Sequence, residues 1–171
     1  MANICPYPGL RPFNENEAIF FKGRDEHIKK IIAQVSHSKF IMVTGASGDG
    51  KSSLIYAGVI PNAKAGFFKA KHNNWVVADF RPEKSPLKNL AQTISTHLGI
   101  NDNVATEKEL GYGFSSLVNL YKNSSHYLDT NAESFQQLDL AEQKQQKRKA
   151  ANLIILVDQF EELFTNSENF S

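Results

Sequence analysis

The densest chemical signal in the chain is the stretch Thr44–Leu54, TGASGDGKSSL. Gly45, Gly50, Lys51 and Ser52 occupy the fixed places of a G-x-x-x-x-G-K-S pattern. With Gly45, Ala46, Ser47, Gly48, Asp49 and Gly50 mostly small, the backbone can curl until successive N–H groups point at one anion. Lys51 has the charge and reach for the β- and γ-phosphates of a nucleotide, and the Ser52 hydroxyl suits Mg²⁺. Ser53 follows in a first helical turn, whose N–H groups and dipole also favour phosphate. An ordinary glycine-rich turn is the alternative. Context argues against it: the apolar run Phe40–Val43 precedes the loop, and Leu54, Ile55, Ala57 and Val59 give an apolar helix after it, until Pro61.

A second chemical signal ends another apolar run. Asn152–Val157 reads NLIILV and delivers Asp158. A carboxylate at the end of a buried strand is costly without a partner. Mg²⁺ beside Ser52, met through a water or an intervening ligand, is the natural one. In the following QFEELF, Phe160, Leu163 and Phe164 mark a helical turn, with Glu161 and Glu162 off its apolar face. One of these glutamates could orient or deprotonate a water attacking a γ-phosphate. The alternative is that both are solvated. Gln159 could position a water but cannot act as a base.

These groups need elements to hold them. Residues 1–22 read as an extended arm with Pro6, Pro8 and Pro12, whose Tyr7, Phe13, Phe20 and Phe21 call for burial. Ile28, Ile31, Ile32 and Val35 give one face of a helix over Gly23–Ser36. Lys39–Thr44 is the expected first strand, Lys51–Ile60 the helix after the loop, and Trp75–Phe80 the next strand. Ser85 and Pro86 then start a helix as cap and first residue, with Leu87, Leu90, Ala91, Ile94 and Leu98 inward. Residues 99–150 read as a polar helical insertion. Thr106 with Glu109, and Thr130 with Glu133, match capping boxes. The first would open a helix with Leu110, Phe114, Leu117, Val118 and Tyr121 inward, weakened by Gly111 and Gly113. Lys144, Lys147, Arg148 and Lys149 read as a solvated helix face in preference to a nucleic-acid contact. Alternating strands and helices predict an α/β fold with a mostly parallel sheet, and ligands bind such sheets beyond the strands' carboxyl ends.

The chain has 171 residues, 41% of them apolar, and a formal net charge of +1. That is enough for a core and gives no general attraction to polyanions. Cys5 is the only cysteine, so no disulfide forms within the chain. The opening prolines are unlike a signal peptide, and no apolar run is long enough to span a membrane. A cytoplasmic protein is expected.

Five segments in order, CPYPGLRPF, EAIFFKGRDE, GASGDGKSSLIYAGVIP, DFRPEKSPLKNLA and LIILVDQFEELFT, resemble the novel STAND NTPase 1 family of signal-transduction ATPases. The proline-rich opening and DQFEELFT are the more specific parts. The resemblance implies a P-loop NTPase three-layer sandwich and an ATP-operated switch in bacterial defence or signalling, cycling between ATP and ADP. It implies further that nucleotide state governs assembly while flanking sensor and effector domains act. It also implies that Gly23 and Arg24 lie near the adenine or ribose. Arg81, after the second strand, could approach the γ-phosphate or form a structural salt bridge. Two departures stand out: Lys22 sits between FF and GR, and Glu83 replaces the glycine of the family's RPG turn.

The expected organisation is an arm over 1–22 and, over 23–171, a partial NTPase domain truncated after the acidic strand. In the broad class of ATPases, a later strand inserts between the phosphate-loop strand and the acidic one. Its absence would leave weak nucleotide binding, little turnover and a tendency to self-associate. A nucleotide-binding regulatory module without turnover is the second reading, and a small-molecule kinase the third. No N-K-x-D motif supports a GTPase, and no L-S-G-G-Q signature supports a transporter ATPase.

Overall fold

The computed structural model describes residues 8–113 and 115–166. Tyr7, Phe114 and the tail after Asn166 lie outside the described residues, so expectations about them are not taken further. The chain divides into two compact units, one running to Lys71 and one from His72 onward.

In the first unit, a 3₁₀ helix over Glu15–Phe20 is closed by a capping box. The Asn14 side chain accepts the Asn16 N–H at 3.0 Å, and the Glu17 carboxylate accepts the Asn14 N–H at 3.0 Å. Glu17 is buried and is held by Arg11, with Nη1 to Oε2 at 2.7 Å. The arm read as extended therefore contains a 3₁₀ helix; Phe13 and Phe21 meet at a tilt with ring centroids 5.7 Å apart, while Phe20 stays exposed.

Helix α1 (Asp25–Val35) follows the apolar spacing and buries Ile31. Lys39–Thr44 is a correction: it forms no strand. Phe40 and Met42 are exposed, and no described strand pairs with this segment, so its apolar pattern has no ladder to complete. After the loop, the chain runs through α2 (Lys51–Ser53), a π-helical turn over Leu54–Val59, and α3 (Ile60–Lys64). Pro61 does not end this helix as expected. Proline lacks the N–H of the usual i→i−4 bond. Here the widened turn precedes it, with the Ile60 N–H donating to the Ile55 carbonyl. Asn62 Nδ2 then donates to the Gly58 carbonyl at 2.7 Å. A Cβ on Gly58 would lie 2.8 Å from Ile28 Cδ1, so glycine there lets α1 approach closely.

In the second unit, β1 (Asn74–Phe80) is followed by α4 (Pro86–Leu98), α5 (Asn103–Leu110), α6 (Ser116–Lys122), α7 (Glu133–Gln136), α8 (Leu140–Lys149), β2 (Ala151–Val157) and α9 (Glu162–Thr165). β1 and β2 are parallel, in register from Asn74↔Ala151 to Phe80↔Val157. Ala78, Ile94, Leu98 and Leu120 form the core, with Leu90, Leu110, Leu153 and Ile155 packed on it. This is a mixed α/β arrangement around a small parallel sheet.

The stretch read as a polar insertion is part of this unit. It supplies Leu120 to the sheet's core and builds a second cluster of Leu128, Phe135 and Ala150. Both expected capping boxes are corrected. The first helix is capped four residues earlier than the Thr106 cap that was read: it starts at Asn103, where Asp102 accepts the Ala105 N–H at 2.9 Å. Thr106 is buried inside that helix and accepts from Ser95 Oγ at 2.9 Å. The α7 helix is preceded by Ala132 with no side-chain cap, so Thr130 does not play that part. The box that does form is Asp139 with Glu142, at the start of α8. Lys144, Lys147, Arg148 and Lys149 are exposed on α8, with Lys147 Nζ 5.6 Å from the Phe135 ring centroid. Among the described residues, no helix is long and apolar enough to cross a membrane.

Candidate functional site

The phosphate-loop residues form an exposed, self-bonded cradle in the first unit. Gly48 and Gly50 adopt φ of +87° and +75°, which glycine reaches without the Cβ clash of other residues. Those reversals turn the chain into the helix that starts at Lys51, where the Leu54 N–H donates to the Gly50 carbonyl at 2.8 Å. Lys51 Nζ folds back onto the loop, donating to the carbonyls of Gly45 and Ala46 at 2.9 Å each. The Asp49 carboxylate accepts the Ala46 N–H at 2.7 Å and closes the turn from the other side. A Cβ on Gly45 would meet Asp49 Oδ2 at 2.8 Å, so the carboxylate would have to shift to admit one. Ser47 is exposed on the loop.

Two neighbours brace the cradle. Arg24 Nη2 donates to the Asp49 carbonyl at 2.7 Å. Its neighbour Gly23 takes φ +80° to bring the chain into α1. The Phe13 N–H donates to Ser53 Oγ at 3.1 Å, which ties the N-terminal arm to the helix behind the loop. Arg11 holds the Glu17 carboxyl down at about 2, with the Asn14 N–H adding to the effect. The sequence reading missed this bracing. The Asn14-to-Glu17 spacing of a capping box was its available signal.

The acidic end lies in the second unit, at the carboxyl ends of β1 and β2. Asp158 extends the ladder through its N–H to the Phe80 carbonyl at 3.0 Å. Its Oδ2 accepts from Arg81 Nη2 at 2.9 Å and Nε at 3.2 Å. Of the two roles open to Arg81, the structure has the salt bridge. A turn then carries Glu83 at φ +49°, a conformation that costs a non-glycine residue roughly 1–2 kcal/mol. Both backbone groups of Glu83 are held. Its N–H donates to Glu162 Oε2 at 2.9 Å, and its carbonyl accepts Asn166 Nδ2 at 2.7 Å. Asn89 Nδ2 donates to the Arg81 and Pro82 carbonyls at 3.1 Å each. Gln159, at φ +56°, turns the chain out of β2 towards α9. The Glu161 side chain is exposed, with no hydrogen-bond partner among the described residues.

The sequence-derived residues thus fall into two groups. Gly45–Ser53 and Arg24 lie together in the first unit, and Asp158, Glu161 and Glu162 lie on one short stretch of the second. The described residues contain no cluster of three or more His, Cys, Asp or Glu side chains shaped for a metal ion.

Comparison with curated proteins and with solved structures gives no match. The family model for novel STAND NTPase 1 matches residues 6–170, nearly the whole chain. It spans the arm, the glycine-rich cradle and the acidic end in one alignment, so the chain belongs to the novel STAND NTPase 1 family.

Proposed function

We propose that the protein binds ATP with Mg²⁺ and works as a STAND-type signalling switch whose nucleotide state, ATP or ADP, controls assembly. The cradle carries this reading: glycines at positive φ, and a lysine whose ammonium rests on the loop's own carbonyls, where an incoming phosphate can take it up. Family membership supports nucleotide binding.

In this reading Gly45, Ala46, Ser47, Gly48, Asp49, Gly50, Lys51, Ser52 and Ser53 hold the phosphates. Lys51 neutralises charge on the β- and γ-phosphates, and Gly23 and Arg24 serve the nucleoside end. The donor set fits Mg²⁺, which keeps several waters and takes one or two protein oxygens besides substrate phosphates. The Ser52 hydroxyl and, through a water, the Asp158 carboxylate are the oxygens we propose for it, each on its chemistry alone. When bound, the ion withdraws charge from the terminal phosphate oxygens. Hydrolysis needs a carboxylate that takes the proton of the attacking water, a part open to Glu161 and Glu162. We place the protein in the cytoplasm, as a P-loop NTPase three-layer sandwich acting with adjoining sensor or effector domains.

Calorimetry on the folded chain tests the reading. Lys51→Ala removes a charge-assisted contact worth about 1.5–3 kcal/mol, so ATP affinity should fall roughly 10- to 150-fold. Equal affinity in wild type and variant would overturn it. A module that binds without turnover is the second reading, favoured by the Arg81 guanidinium already seated on Asp158. Mg²⁺-dependent ATP binding with no phosphate release would select it.

A further inference from the structure

The glycine-rich loop already holds an anion, and the anion is its own. Asp49 Oδ2 accepts the Ala46 N–H at 2.7 Å. From the other side, Lys51 Nζ donates to the carbonyls of Gly45 and Ala46 at 2.9 Å each. Ala46 is thus gripped twice, its N–H by a carboxylate and its carbonyl by an ammonium. We propose that the Asp49 side chain is a built-in competitor of the phosphates, a carboxylate whose charge sets how tightly the loop takes an anionic ligand. The proposal rests on the phosphate-binding reading above and deepens it.

The loop's own geometry puts the charge there. Asp49 stands between two glycines at positive φ, Gly48 at +87° and Gly50 at +75°. The chain reverses on each side of it, and the side chain comes back to a residue three places earlier. Its backbone is held: the Asp49 N–H donates to the Ala46 carbonyl at 3.2 Å, and Arg24 Nη2 donates to the Asp49 carbonyl at 2.7 Å. Asp49 therefore serves the loop with its main chain, while its side chain is exposed and can turn outward. A phosphate chain that draws Lys51 off the Gly45 and Ala46 carbonyls arrives within one residue of this like charge. At about 4 Å, one like charge lowers affinity roughly fivefold even in water. The hydrogen bond to Ala46 does not require the charge. An asparagine in the same place still accepts the N–H through its amide oxygen. Charge and bond can therefore be removed separately.

The full chain is compared with D49N and D49A. Calorimetry reads the affinity for inorganic tripolyphosphate and for ATP, at one fixed Mg²⁺ concentration and at low and high salt. Amide exchange reads the Ala46 N–H. D49N should bind tripolyphosphate about fivefold more tightly than the wild type at low salt, with Ala46 exchange close to the wild-type rate. The gain should shrink as salt screens the charge. D49A should show a gain of similar size and faster Ala46 exchange, because it loses both charge and bond. D49N keeps the bond, so it decides alone should D49A fail to fold. Equal or weaker affinity of D49N for both probes overturns the proposal, and would mean that the carboxylate organises the loop for its ligand. A gain that salt leaves unchanged overturns it as well. ATP held no more tightly than tripolyphosphate, with the D49N gain present, would sink the nucleotide reading and leave Asp49 as the competitor. ATP held far more tightly than tripolyphosphate, with no D49N gain, would do the reverse.

Discussion

Arg81 and Asp158 leave neighbouring parallel strands at the same end and meet there, Arg81 Nη2 standing 2.9 Å from Asp158 Oδ2. The carboxylate side chain is 17% exposed and the guanidinium 51%. A half-exposed pair contributes only about 0–1 kcal/mol to stability. Its importance lies in what it occupies. The carboxylate proposed above for Mg²⁺ already holds a cation from the protein itself.

In the Mg²⁺ role proposed for Asp158, the pair would compete with the ion. A like charge about 4 Å away costs roughly 1 kcal/mol per unit charge even in water. Arg81→Ala should lower the Mg²⁺ midpoint of nucleotide binding by about fivefold or more, with little change in Tm. A Mg²⁺ titration monitored by a fluorescent ATP analogue checks this. A higher midpoint would mean that Arg81 contributes to the nucleotide and not to restraint of Asp158.

Acid should loosen the arm behind the phosphate loop. The Glu17 carboxyl is lowered from 4.5 to about 2 by Arg11 and the Asn14 N–H. A depressed carboxyl stabilises the fold fully above its unfolded value and loses that contribution as pH falls through its folded value. The loss should begin below about 4.5 and finish near 2. Glu17→Gln should melt below the wild type at neutral pH, and the two Tm curves should converge across that window. Parallel curves down to pH 2 would remove Glu17 from the account.

Glu83 tests backbone strain directly. Its φ of +49° lies where glycine is unstrained and a β-branched residue is most crowded. Glu83→Gly should hold or raise stability by up to about 1 kcal/mol, and Glu83→Val should lower it by about 1 kcal/mol or more. Chemical denaturation of the two variants checks the order. Equal stability would mean that the Glu162 and Asn166 bonds, not the φ, set the energy of the turn.

The elements legible in the sequence were those with internal signals. The 3.6-residue spacing of Ile28, Ile31, Ile32 and Val35 gave α1, and the apolar run after Trp75 gave β1. The loop's reversals were legible because Gly48 and Gly50 take a positive φ that other residues reach only with strain. Partner-dependent features were not. Phe40–Val43 has a strand's composition, but a strand also needs a neighbour, and composition does not report one. Thr106 has a cap's identity and spacing, yet Asp102 won the cap and left Thr106 to bond with Ser95. The hold of Glu162 on Glu83 joins positions far apart in the chain, where no local spacing rule reaches.

The segment 40–43 also bears on self-association. Phe40 is 68% and Met42 62% exposed, whereas Ile41 and Val43 are partly buried, so the side chains alternate as they would in a strand. Ser38 Oγ donates to the Phe40 carbonyl at 2.6 Å and accepts the Phe40 N–H at 3.2 Å, which satisfies one residue of the four. No described strand pairs with the others. Exposed apolar side chains on a segment with no ladder partner among the described residues are a template for another chain. The protein should therefore associate with itself as its concentration rises. Met42→Lys places a charge on the exposed face of this segment and should shift association to higher concentration. Because Met42 is mostly exposed, the same change should alter stability by no more than about 0.5 kcal/mol. Ile41→Lys is the contrast: it buries a charge against the first unit and should lower Tm. Sedimentation velocity across a concentration series, with melting curves beside it, separates these outcomes. A wild type that stays monomeric at all concentrations would show that this segment does not recruit a second chain.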